Sequence, residues 1–161
     1  MSAHRYSIRP ANPAAHLFEM RLTVASPDPG GQEFAMPTWI PGSYMVRDYA
    51  RHVVSARAES DGRDVELVKL DKSRWRAAPT DRELTLVFEI YAHDESVRGA
   101  HLETTHAFFN GTCVFPAVVG QEDVECEVDV EAPEKPFGRN WRVATAMKRK
   151  EAEQYGFGLY H

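Results

Sequence analysis

Three stretches of the chain alternate between apolar and polar residues with a period of two, the spacing at which one face of a β-strand enters a core and the other meets water. Phe18, Met20, Leu22 and Val24 are interleaved with Glu19, Arg21 and Thr23. Leu84, Leu86, Phe88 and Ile90 repeat the pattern against Thr85, Val87, Glu89 and Tyr91. Val124, Cys126, Val128 and Val130 alternate with Glu125, Glu127, Asp129 and Glu131, which predicts an inward-facing Cys126. Further strands are predicted over 5–9, 53–59, 65–70, 74–77, 101–109 and 141–146, with Asp61-Gly62 and Asn110-Gly111 as turn signals. Residues 148–154 are rich in helix formers and predict one short helix. The pattern specifies an all-β protein: an antiparallel β-sandwich or saddle-like curved sheets, with at most one or two short helices. Trp75 and Trp141 fall inside strand patterns and are expected in the core.

The segment from Pro37 to Arg51, PTWIPGSYMVRDYAR, fits neither period. Its prolines bias Met36 and Ile40 toward extended backbone, and Gly42 permits a sharp turn. Trp39, Tyr44 and Tyr49 carry too much apolar surface for a solvated loop, so the segment is expected to pack against a body. Arg47 and Asp48 either pair and order the loop or face a neighbouring domain.

Length and charge narrow the field. The 161 residues suit a single domain over 1–161, and a net charge of −5 without a lysine or arginine run argues against a nucleic-acid surface. No apolar run approaches the ~20 residues that span a bilayer, and the first residues lack the apolar centre of a secretory signal, so the expectation is no membrane partner and a cytoplasmic location. For that reason the sequon Asn110-Gly111-Thr112 is expected to stay unmodified, and Cys113 and Cys126 to be free thiols. No Gly-x-Ser-x-Gly elbow occurs, and none of the seven histidines has another four positions away, so no HExxH zinc motif exists. His101 and His106 are five apart; on one strand that odd separation puts them on opposite faces. The sequence therefore predicts no catalytic residue and no metal or other cofactor in this chain.

The loop sequence WIPGSYMVRDYAR resembles the amino-terminal domain of the glycyl aminopeptidase-like, PDZ-containing zinc metallopeptidases. HRYSIRPANPAAHLFEMRLTV before it, and HAFFNGTCVFPAVVGQEDVECEVDVEAP and NWRVATAM after it, are similar to the same region in the same order. The resemblance implies a saddle-type β domain shared with aminopeptidase N-like enzymes. It also implies a longer polypeptide whose zinc and PDZ domains lie outside this chain, the chain itself being inactive. The implied partners are that catalytic domain and a peptide substrate. The aromatic carboxyl end, with Tyr155, Phe157 and Tyr160, is expected to meet a further element or to pair two copies as a homodimer.

In aminopeptidase N-like enzymes, the place equivalent to His106–Thr112 reaches the active-site cleft. The resemblance thus implies substrate contacts from Phe109, Asn110, Gly111 and Thr112, with Asn110 and Thr112 as polar partners of a free amino group. It also implies a domain interface built from Trp39, Tyr44, Arg47, Asp48 and Tyr49. For Asn110-Gly111 the alternative is a plain hairpin turn. For the chain as a whole the alternative is an independent carbohydrate- or protein-binding sandwich, with Trp39, Trp75 and Trp141 as a stacking platform.

Overall fold

The computed structural model describes residues 3–161. Its frame is an eight-stranded sheet that begins with β1 (His4–Asn12) and β2 (Leu17–Val24); the short β3 (Glu33–Ala35) that follows belongs to a second sheet. After an irregular stretch come β4 (Val53–Ser60), β5 (Arg63–Val65), β6 (Leu67–Lys69), β7 (Arg74–Ala77) and β8 (Leu84–Tyr91). The remainder comprises β9 (Ala100–Leu102), β10 (Ala107–Phe109), a single helical turn α1 (Gly111–Val114), β11 (Ala117–Val118), β12 (Cys126–Val130), β13 (Arg149–Ala152) and β14 (Gly158–Tyr160).

The large sheet runs β13-β14-β12-β1-β2-β8-β4-β5, a four-stranded sheet runs β11-β3-β7-β6, and β9 and β10 form a separate hairpin. All pairings are antiparallel except that of β1 with β12, which is parallel with His4 opposite Cys126 and Ile8 opposite Val130. The all-β expectation therefore holds. In β2 every second side chain is buried, and Phe18, Met20, Leu22 and Val24 face Ile90, Phe88, Leu86 and Leu84 across the register with β8. Phe34, Trp75 and Ala77 of the smaller sheet join the same core, where the Trp75 ring lies 4.8 Å from that of Phe88. The outer face of the large sheet carries charge instead: Glu19 sits 3.4 Å from Arg9, and Glu59 pairs with Arg57 at 2.6 Å and with Arg21.

Several local expectations are corrected. The 148–154 segment forms β13 rather than a helix, because it pairs with β14 at the sheet edge, where tertiary pairing overrides a weak helical propensity. Residues 141–146 form no strand; Trp141 is half-buried beside the large sheet. Trp75, by contrast, is in the core as expected. Cys126 has the inward parity but is exposed, since it opens β12 at the end of the sheet and the cover begins at Val128. Tyr160 finds full burial within this chain: its hydroxyl donates to the Gly156 carbonyl, and β14 lies between β12 and β13. Tyr155 remains exposed. Asp61 and Gly62 do turn the β4–β5 hairpin, both with positive φ and with Ser60 opposite Arg63.

Candidate site at one end of the sandwich

The irregular Pro37–Asp48 segment is ordered by its own polar groups. Ser43 is the hub: its amide donates to the Ile40 carbonyl at 3.1 Å, its carbonyl accepts from Trp39 Nε1 at 2.8 Å, and its hydroxyl accepts from Arg47 Nε at 3.0 Å. Gly42, with φ of 84°, makes the bend possible. Arg47 and Asp48 do not pair with one another. Arg47 is held by Ser43 and by its backbone bond to the Thr38 carbonyl, while Asp48 lies 2.9 Å from Lys72 Nζ, a charge contact across to the β6–β7 turn.

The interface residues expected from sequence separate into an anchor and a tip. Ile40 and Tyr49 are buried, fastening the segment to the core. Tyr44 is fully exposed and Trp39 is half-exposed, and Met45 and Val46 extend the same apolar tip with 61% and 64% exposure. Sequence reasoning did not single out Met45 and Val46, although the run Tyr44-Met45-Val46 is visible there.

Both sequence-predicted segments meet at this end, joined by the loop that precedes β9. The Arg98 carbonyl accepts from the Tyr49 hydroxyl at 2.8 Å and from the Cys113 thiol at 3.4 Å, and Arg98 Nη2 donates to the Gly42 carbonyl at 2.9 Å. Gly99 lets that loop close, since a Cβ there would lie 2.4 Å from the Asp94 side chain. Nothing in the sequence marked Arg98, whose role is mostly that of its backbone carbonyl.

Asn110 and Gly111 do not turn a hairpin. Asn110 caps α1: its Oδ1 accepts from the Thr112 amide at 3.2 Å and from the Thr112 hydroxyl at 2.9 Å. Those two bonds engage the carbonyl lone pairs that the sequence reading offered to an ammonium group. Phe109 turns inward, edge-on to Phe18 and Phe115 with ring centroids 5.8 and 5.9 Å away. It borders an apolar cavity of about 200 Å³ shared with Ile8, Trp141, Met147 and Phe157. Burial pushes the Cys113 thiol up, so it is held as the neutral group, not an activated nucleophile. Burial likewise raises the Tyr49 phenol, with Cys113 as the second cause.

His101 and His106 come together against expectation. His101 stands on β9 and His106 ends the turn just before β10, with Leu102 opposite Ala107 in register, so the one-strand parity argument does not apply. Their rings are 5.2 Å apart, and Glu103 lies between them, 2.9 Å from His106 Nδ1 and 3.9 Å from His101 Nε2.

A mixed eight-stranded sheet and a small antiparallel sheet share one core, with an aromatic-tipped loop and a capped helical turn at one end, and together they make up a β domain. The chain belongs to the Peptidase M61 N-terminal domain family, which it matches over residues 5–161. Among solved structures it is similar to an aminopeptidase N family protein from Idiomarina loihiensis, with 38% identity and a TM-score of 0.92. That likeness covers 98% of this chain and 26% of the other, so the chain spans about a quarter of the length of its relative. No curated protein sequence matches it. No helix among the described residues is long and apolar enough to cross a membrane.

Proposed function

We propose that this chain is the non-catalytic amino-terminal domain of a glycyl aminopeptidase-like zinc metallopeptidase, docking on a catalytic domain of the same polypeptide and forming part of the wall of its substrate cleft. The observation that carries this reading is the apolar tip of Trp39, Tyr44, Met45 and Val46, exposed on a loop whose base is fixed to the core. A rigid base holding a bare aromatic tip is suited to insertion against a second body, because little conformational freedom is left to lose on contact. Family membership, and a 38% identical relative of which this chain covers a quarter, support the same assignment. The zinc and the hydrolytic groups belong, in this reading, to the catalytic domain.

The half-buried Phe109 and the mutually bonded Asn110 and Thr112 give the cleft wall a rigid corner. In this reading they shape the cleft, with the Asn110 amide nitrogen and the surface of α1 as the parts left to meet a peptide. The proposed location is cytoplasmic.

The test is a Trp39→Ala, Tyr44→Ala double variant in the full-length polypeptide. Peptide hydrolysis should fall, and limited proteolysis should release a fragment near residue 161 faster than in the parent protein. Unchanged hydrolysis and proteolysis would remove the docking role. Chelator-sensitive hydrolysis by residues 1–161 alone would contradict the non-catalytic assignment.

A further inference from the structure

The geometry points to a binding site for one zinc-class divalent ion at His101, Glu103 and His106, where the β9–β10 hairpin turns. One ligand atom from each of these residues lies within 4.8 Å of those of the other two. A tetrahedral ion with bonds of about 2.0–2.2 Å spaces its ligand atoms about 3.3–3.5 Å apart. The measured separations, 2.9 Å from Glu103 Oε1 to His106 Nδ1 and 3.9 Å from Glu103 Oε2 to His101 Nε2, lie on either side of that spacing. Drawing the three groups in around one ion would complete three-fold ligation.

An independent observation singles out His101. Its side chain is only 4% exposed, and neither ring nitrogen has a hydrogen-bond partner. A buried imidazole with neither nitrogen satisfied bears an uncompensated desolvation cost that a ligand on either nitrogen would relieve. The Glu103 carboxylate lies 3.9 Å from its Nε2, too distant to accept a hydrogen bond but well placed to share a cation. The other face of the ring stacks on His93 at 5.5 Å, which fixes its plane.

The carboxylate is prepared for this role. The Thr105 hydroxyl donates to Glu103 Oε1 at 2.5 Å and also lies 3.0 Å from His106 Nδ1. Two imidazoles and one carboxylate are the ligand chemistry of zinc and its neighbours, with one position left for water or a further ligand. An ion here would clamp the turn from Glu103 to His106. Because β10 leads directly into Asn110, it would also stiffen the strand that presents the α1 corner.

The experiment titrates the 161-residue chain, prepared without a histidine tag, with Co²⁺ as spectroscopic probe and Zn²⁺ as competitor. One equivalent of Co²⁺ should bind with visible d–d absorption that Zn²⁺ displaces, and saturating Zn²⁺ should raise Tm. His106→Ala alters an exposed side chain and Glu103→Gln a half-buried one at the same turn, replaced by its isostere, so the fold should survive, and each should weaken binding about tenfold or more. His161→Ala, at an exposed terminal histidine, should bind as the parent chain does. Absence of the Co²⁺ spectrum in the parent chain, or equal affinity in the His106 and Glu103 variants, would overturn the assignment and leave these residues as a hydrogen-bonded cluster.

Discussion

The hydroxyl of Tyr49 donates to the backbone carbonyl of Arg98 at 2.8 Å, and this bond ties the irregular Pro37–Asp48 segment to the loop ahead of β9. The same carbonyl takes the Cys113 thiol, so loop, hairpin and α1 share one acceptor. Tyr49→Phe removes the donor but keeps the ring. It should lower stability by about 1 kcal/mol, the usual net value of such a bond, read as a shift in urea midpoint at constant m. An unmoved midpoint would mean that the segment is held by packing alone.

Trp75 joins the small sheet to the large one by packing against Phe88, with Lys69 Nζ 5.1 Å from its ring centroid. Trp75→Ala should cost about 3–5 kcal/mol, the range for truncating a buried aromatic, and a second cavity from Phe88→Ala should add less than its separate cost. Equilibrium denaturation of the single and double variants measures both. Full additivity would show that the two rings are not coupled.

The exposed tip behaves differently. Tyr44→Ala in the isolated chain should change stability by no more than about 0.5 kcal/mol, because the side chain is fully exposed. A larger loss in thermal or urea unfolding would place the tip among the residues that hold this domain together, and would weaken its assignment to docking.

His4 is buried, and burial lowers its pKa from the ordinary 6.5. In the unfolded chain the imidazole takes up a proton near pH 6.5, while the folded one resists until lower pH. Below pH 6.5 the unfolded state therefore binds more protons, and stability should fall as the pH is lowered from 7.5 toward 5, levelling once the folded imidazole titrates. His52 shifts in the same direction through burial and the neighbouring Arg51. His4→Leu should flatten the slope of unfolding free energy against pH. An unchanged slope would assign the dependence to His52 or to other groups.

The alternating strands were legible: β2 is buried on every second residue, β8 likewise apart from Val87, which is buried on the opposite face, and β12 departs only at its exposed first residue. What escaped was set by distant partners. Arg149–Ala152 reads as helix because its side chains favour one locally, yet it fills a sheet edge beside β14. Asn110-Gly111 reads as a hairpin turn, but the Asn110 side chain finds Thr112 and caps a helical turn instead. The aromatic loop was legible as something anchored, since Trp39, Tyr44 and Tyr49 demanded it; which ring is anchor and which is tip depends on the Arg98 carbonyl, invisible in a string of residues. The His101–Glu103–His106 cluster was hidden for a similar reason, because a turn inside the 101–109 strand pattern reverses the chain and cancels the parity argument.

The parallel pairing of β1 with β12 has a consequence for synthesis on the ribosome. His4–Asn12 emerges early and can zip onto Leu17–Val24, but its other edge stays open until Cys126–Val130 has been made. Until then, the nascent domain carries a raw strand edge able to recruit a neighbouring polypeptide. Closing it requires a contact between strands far apart in sequence, which makes this step slow compared with the local hairpins. The charged outer side chains Arg5 and Arg9 on that early strand act as its safeguard while it waits.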